Sequence, residues 1–152
     1  MNRTGKDMEL RKWKYEDIME IAALEKQCFS DPWSFRMLAD TFFGENVITV
    51  AAEEAGHIAG YAFAVLAGEE GDIANVAVAP ASRRRGLARQ MLESLEKRAA
   101  SLGVSRLFLE VRVSNAPAMA LYLKCGYIGR YVRPRYYGDG EDALIMEKRL
   151  GG

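Results

Sequence analysis

A mixed, mostly antiparallel α/β sheet with helices on both faces is the fold class this sequence predicts, and three observations predict it. β-rich runs joined by tight turns fill residues 47–66, as antiparallel neighbours do. From residue 72 onward, strand and helix patterns alternate, as in a sheet layered by helices. The longest helical pattern, at 86–102, is apolar on one face only, so it packs against something flat.

Taken in order, residues 1–7 read as a loose tail and 8–13 as a short strand, with one domain over 8–152. Ile18, Ile21, Ala22, Cys28 and Phe29 form a helical stripe over 15–29. Pro32 interrupts it, and Ser34 offers an N-cap for a second helix ending near Gly44. Strands at 47–53 and 58–66 flank an Ala-Gly-His turn, a hairpin. The near-continuous apolar strand at 72–78 reads as buried on both faces. In the long helix, Leu87, Ala88, Met91, Leu92, Leu95, Ala99 and Leu102 share a face, and Gly103 ends it. A strand at 106–111, a helix at 115–125 closed by Gly126, and β-rich runs at 127–132 and 143–148 complete the chain.

Composition removes several classes of function. The chain has 152 residues, long enough for a core without disulfide or metal support. Twenty-one Lys and Arg balance 21 Asp and Glu, which argues against a general nucleic-acid binder. Cys28 and Cys125 are too few for a secreted disulfide framework. The single histidine, His57, sits at a turn and cannot build a zinc site or a His-dependent triad. No run approaches the ~18 apolar residues of a membrane span, and the N-terminus carries no secretory signal. A cytoplasmic, monomeric protein with no metal and no membrane contact is the expectation.

Two segments carry chemistry. At 79–89 a strand ends, a basic turn follows, and a long helix starts at Gly86. The free N–H groups and positive end of a helix suit a pyrophosphate, and glycine lets the backbone approach it. There is no Gly-Lys-Ser/Thr, so this is not a P-loop; a solvated basic loop is the competing reading. In the second segment, Glu110 interrupts an apolar strand, either as sheet surface or as an acid/base group. Asn115 is placed to cap the next helix, and Tyr122 lies about 10 Å further along nearly the same face. Strand end, basic turn and helix start meet at one end of neighbouring elements, where α/β proteins place ligands.

These residues resemble the GNAT N-acetyltransferases, and within them the bacterial ribosomal-protein-alanine acetyltransferases, the RimI family. Arg83-Arg-Arg-Gly86-Leu-Ala88 is similar to the superfamily's Q/R-x-x-G-x-G/A signature for the acetyl-CoA pyrophosphate. The narrower resemblance comes from 28–34, 75–78, 109–115 through Leu121-Tyr122, and Arg133-Pro-Arg-Tyr136-Tyr137 with Glu141-Asp142-Ala143. It implies the GNAT fold and acetyl-CoA as acetyl donor. It further implies that Val76, Ala77 and Val78 meet the pantetheine arm, while Arg84, Arg85, Gly86, Leu87, Ala88 and Arg89 meet the pyrophosphate. Asn115 would contact the cofactor near its thioester, Glu110 would be the general base, and Tyr122 the acid for the departing thiolate. Trp33, Tyr136 and Tyr137 would wall a peptide groove. Asp72 stands where the family often has Glu, and Tyr127 where it has Phe.

The resemblance implies transfer to a protein N-terminal α-amine, with an N-terminal alanine of a small-subunit ribosomal protein as acceptor and partner. Chemistry suits that acceptor: an α-amine of pKa about 7.7–8.0 is roughly one-quarter neutral near pH ~7.4, a lysine amine about one-thousandth. One carboxylate then suffices as base, and direct attack in a ternary complex needs no acyl-enzyme. A GNAT acting on lysine side chains or small amines is the alternative. An RNA-binding module using the basic turn and Tyr136-Tyr137 is a rival of another class.

Overall fold

A computed structural model describes residues 8–151. The proposed tail, 1–7, lies outside the described residues. Among the described residues, seven strands form one sheet in the order β1-β2-β3-β4-β5-β7-β6. They span Met8–Arg11 (β1), Val47–Glu54 (β2), His57–Ala67 (β3), Glu70–Val78 (β4), Arg106–Arg112 (β5), Ile128–Arg133 (β6) and Ala143–Arg149 (β7). Among the described strands, only β4 and β5 pair in parallel; every other pairing is antiparallel. Four α-helices lie on it: α1 Ile18–Cys28, α2 Phe35–Phe42, α3 Leu87–Ser101 and α4 Ala116–Lys124.

Alternation along the strands builds two cores. Ala62, Ala64, Ile73, Leu107, Leu109 and Val111 point to the face where Met91, Leu92, Leu95 and Ala99 of α3 pack, with α4 beside them. Ala51, Tyr61, Phe63 and Ala77 point to the other face, against Ile18, Ile21 and Leu24 of α1 and Leu38 of α2. Helices α1 and α2 therefore cover β2 to β4 and leave the α1-side face of β5, β7 and β6 uncovered, where Tyr131 is half exposed.

Local chemistry sets the ends of the elements. The Ser34 hydroxyl accepts from Met37 N at 3.1 Å and starts α2. Asn115 Oδ1 accepts from Ala118 N at 3.2 Å and starts α4. The β2–β3 hairpin turns on Ala55 and Gly56 alone, both at positive φ (53° and 81°), and His57 is the first residue of β3 rather than part of the turn. The first helix starts later than its stripe suggests: residues Tyr15–Asp17 form a 3₁₀ turn. There the Asp17 carboxylate accepts from Lys14 N at 2.6 Å and pairs with Arg11 at 2.8 Å.

A further expectation fails, and this failure marks the site. β4 is not buried on both faces; residues 74–76 are only partly buried. Pairing with β5 runs from Glu70↔Arg106 to Ile73↔Leu109 and stops. Opposite the break, the β3 register shifts so that Phe63 pairs with Asn75 and Ala64 with Ile73, leaving Ala74 bulged. The bulge turns the second half of β4 away from β5, and the sheet opens.

Candidate active site

The opening is a cleft of about 350 Å³ that passes through the sheet. Ile73, Ala74, Asn75 and Val76 of β4 form one wall, and Leu109 to Arg112 of β5 form the other. Trp33 from the α1–α2 connection, Asn115, Ala118 and Tyr122 from α4, and Tyr136 and Tyr137 from the β6–β7 loop complete it. Seven residues expected at a site from sequence are thus brought together: Trp33, Val76, Glu110, Asn115, Tyr122, Tyr136 and Tyr137.

Glu110 and Tyr122 enter from opposite faces. Its neighbours Leu109 and Val111 point into the α3-side core, so Glu110 points to the α1 side. Tyr122 packs with the α3-side core and sits edge-on to Tyr127, with ring centroids 6.2 Å apart. A reacting atom in the split can therefore meet a carboxyl on one side and a phenol on the other.

Burial tunes both groups. The Glu110 carboxyl is pushed up to about 8, first by burial and then by the neighbouring Asp72 carboxyl; Tyr136 and Arg133 oppose the shift. Asp72 is raised as well, chiefly by burial. The Tyr136 hydroxyl stands 3.4 Å from Glu110 Oε1. The Tyr122 phenol is pushed up to about 12 by burial, so it keeps its proton at neutral pH. That is the state of a proton donor.

Polar ties unseen in the sequence hold the walls. Glu25, fully buried on α1, accepts from Trp33 N at 2.8 Å, Tyr61 Oη at 2.5 Å and Asn75 Nδ2 at 2.6 Å. It joins the Trp33 wall to the β4 bulge. Arg112 lies over the Tyr137 ring at 4.1 Å and pairs with Asp139 at 2.8 Å and Glu141 at 2.9 Å, tying the β6–β7 loop to β5. Glu25 sits among Lys26 and Gln27 and reads locally as a solvated helix face; its three donors lie far along the chain. Arg112 carries no local signal except its place two residues after Glu110.

The basic turn lies beyond this cleft. Arg84 (φ 67°) and Gly86 (φ 76°) both take the left-handed conformation, and no side chain caps α3. Nothing lies within 4 Å of where a Cβ on Gly86 would sit, and the first amides of α3 have no side-chain cap. These features fit an anion such as the pyrophosphate of acetyl-CoA. Arg85 is held in a two-pronged pair with Glu54, at 3.0 and 2.7 Å, and Arg89 lies 3.4 Å from Glu93. The Leu87 side chain is in the core, so only its backbone can face a ligand. Ala77 is buried toward α1, and the Val78 carbonyl accepts from Arg83 Nε at 3.0 Å. Among the described residues, no three His, Cys, Asp or Glu side chains gather as a metal-binding group.

A split mixed sheet, a β-bulge at the split and an uncapped helix start behind it form the frame of the candidate site. The sequence profile of the Acetyltransferase (GNAT) family matches residues 16–127, and the chain belongs to that family. It is 37% identical over 133 residues to the [ribosomal protein bS18]-alanine N-acetyltransferase of Escherichia coli K12, covering 86% of this chain and 89% of that protein. An N-alpha-acetyltransferase of Saccharolobus solfataricus is 27% identical, with 96% and 95% covered. The crystal structure of the ribosomal-protein-S18-alanine N-acetyltransferase from Escherichia coli superposes with a TM-score of 0.87 at 32% identity, covering 95% of each chain.

Proposed function

We propose that the protein transfers the acetyl group of acetyl-CoA to the N-terminal α-amine of a protein, an N-terminal alanine of a ribosomal protein such as bS18. The observation that carries this reading is Glu110, a half-buried carboxyl pushed up to about 8, across the split sheet from a protonated Tyr122. A carboxyl raised by burial and by Asp72 is a stronger base than an ordinary one, and an α-amine of pKa about 7.7–8.0 gives up its proton to it more readily than a lysine amine near ~10.4. The likeness to the bS18-alanine enzymes supports the choice of protein.

Acetyl-CoA supplies the activated acyl group as a thioester. In this reading the amides of Arg84 to Arg89 and the start of α3 bind its pyrophosphate, the free edge of β4 at Val76 to Val78 aligns the pantetheine arm, and Asn115 lies near the thioester. The acceptor peptide enters between Trp33 and the Tyr136-Tyr137 loop. Glu110 takes a proton from the ammonium, the amine attacks from the α1 side, and the thiolate leaves toward the Tyr122 phenol, which protonates it. The work is done by one domain, residues 8–152, as a monomer in the cytoplasm, with no metal and no nucleic-acid partner.

Mass spectrometry of a bacterial proteome's N-termini, after incubation with the enzyme and labelled acetyl-CoA, tests the reading. Label on a small set of N-termini that includes an alanine-initiated ribosomal protein is expected. Label only on lysine side chains, or none, would contradict it.

A further inference from the structure

A second hollow, of about 440 Å³, lies on the uncovered sheet face, floored by Val65, Phe108, Tyr131 and Ile145. Asp72 and Glu110 line both this hollow and the reaction cleft, and among the described residues no other does. The register explains why. Asp72 pairs with Phe108, so it shares a sheet face with Phe108 and with Glu110 two residues on. Pairing between the strands ends at Ile73↔Leu109, so the two carboxyls stand where the sheet begins to open. Across the other strands, Val65 lies opposite Asp72 and Ile145 opposite Glu110. Their immediate neighbours are thus apolar. The charged and titratable groups that face the pair are Tyr131 and Arg133 from β6, Tyr136 and Tyr137 from the β6–β7 loop, and Glu70 on β4, itself paired with Arg106.

We propose that Asp72 is a positioning residue for the reaction: it makes one base with Glu110, sharing the proton lifted from the acceptor ammonium and releasing it to water in the second hollow, away from the acetyl donor. The inference rests on Glu110 being the base. The protons balance. Of the three on the ammonium nitrogen, one leaves through Glu110 and Asp72, one replaces the proton that Tyr122 gives to the thiol sulfur, and one stays on the product amide. The N–C bond forms as the C–S bond breaks, with no oxidant or further reactant.

Two carboxyls so placed cannot both ionise independently, because the second charge is formed beside the first in a poorly solvated site. Asp72 therefore sets the strength of Glu110. Removing the Asp72 charge while keeping its shape should make Glu110 a weaker base that ionises at lower pH.

Carboxyl ¹³C NMR titration of the whole protein, with kcat/KM against pH for a short alanine-initiated peptide, tests this. In Asp72→Asn the Glu110 midpoint should fall by about one pH unit or more. The enzyme-derived acid limb of kcat/KM should move the same way, and the high-pH rate should drop about tenfold, as for a weakened base. A folded Asp72→Asn protein with an unmoved Glu110 midpoint and limb would overturn the proposal. If Asp72→Asn does not fold, the wild-type titration decides. Asp72 and Glu110 must then titrate in two shared steps, and independent single-step curves would overturn it. Glu110→Gln separates the two readings. Full activity there removes the base itself, whereas loss there with no change in Asp72→Asn removes only Asp72.

Discussion

In the proposed reaction, Glu110 and Tyr122 are the base and the acid that one cleft prepares from the same physical cause. Burial raises both, but the carboxyl is left near the pKa of an α-amine while the phenol is left fully protonated. Because Glu110 must be ionised to accept a proton, turnover should rise with pH toward about 8. Tyr122→Phe keeps the ring against Tyr127 and removes only the hydroxyl, so the variant should fold and bind acetyl-CoA normally. Its kcat with a saturating peptide should fall by about 10²–10⁴-fold, the scale for a lost acid. Steady-state kinetics beside a thermal melt check this; near-normal kcat would leave the phenol a packing group only. Both positions stand out in the sequence, as a carboxylate in an apolar strand and a tyrosine on the helix that follows, but pattern alone favours sheet surface and packing, and their proposed roles come from the family resemblance. Asp72 and Glu25 were not read as site residues, because their roles depend on partners distant in sequence. The donors to Glu25 come from Trp33, Tyr61 and Asn75, and Asp72 gains its meaning from Glu110 on another strand.

At the scale of elements, the helix start behind the cleft does the anion-binding work in this account. Gly86 enters α3 with φ 76°, and its surroundings leave a Cβ unobstructed, so a side chain there is opposed by backbone strain rather than by a clash within the protein. A β-branched residue resists that conformation, at a cost of about 1–2 kcal/mol, and would turn the first amides of α3 away from the pyrophosphate. Gly86→Val should therefore weaken acetyl-CoA binding by roughly tenfold, since ~1.4 kcal/mol is a factor of ten. Isothermal calorimetry on the folded variant checks this; unchanged affinity would remove the phosphate-loop assignment. The glycine, the helix and its apolar face were all legible as local pattern. The orientation of the arginines was not: Arg85 is turned to Glu54 on β2, a pairing that adjacency in the basic run conceals. Nor was the break in β4, whose apolar run suggested double burial. The bulge at Ala74 comes from register with β3, and single-strand composition does not encode register.

For the whole molecule, the alternation of strands and helices gave the class of fold, and tight turns gave the antiparallel neighbours. The order β5-β7-β6 depended on long-range pairing, because β7 enters between two earlier strands and carries the Tyr136-Tyr137 loop back to Glu110. This insertion gives the molecule its working shape: α1 and α2 cover one half of a face, the loop overhangs the other, and the split sheet lies between them. In the proposed reaction an acceptor α-amine meets Glu110 in that gap. One peptide therefore tests the central claim most directly: an alanine-initiated peptide with a free N-terminus and an internal lysine, incubated with enzyme and acetyl-CoA and sequenced by tandem mass spectrometry. The account predicts a single acetyl group on the α-amine, with the rate lost in Glu110→Gln; acetylation of the lysine in preference to the α-amine would contradict it.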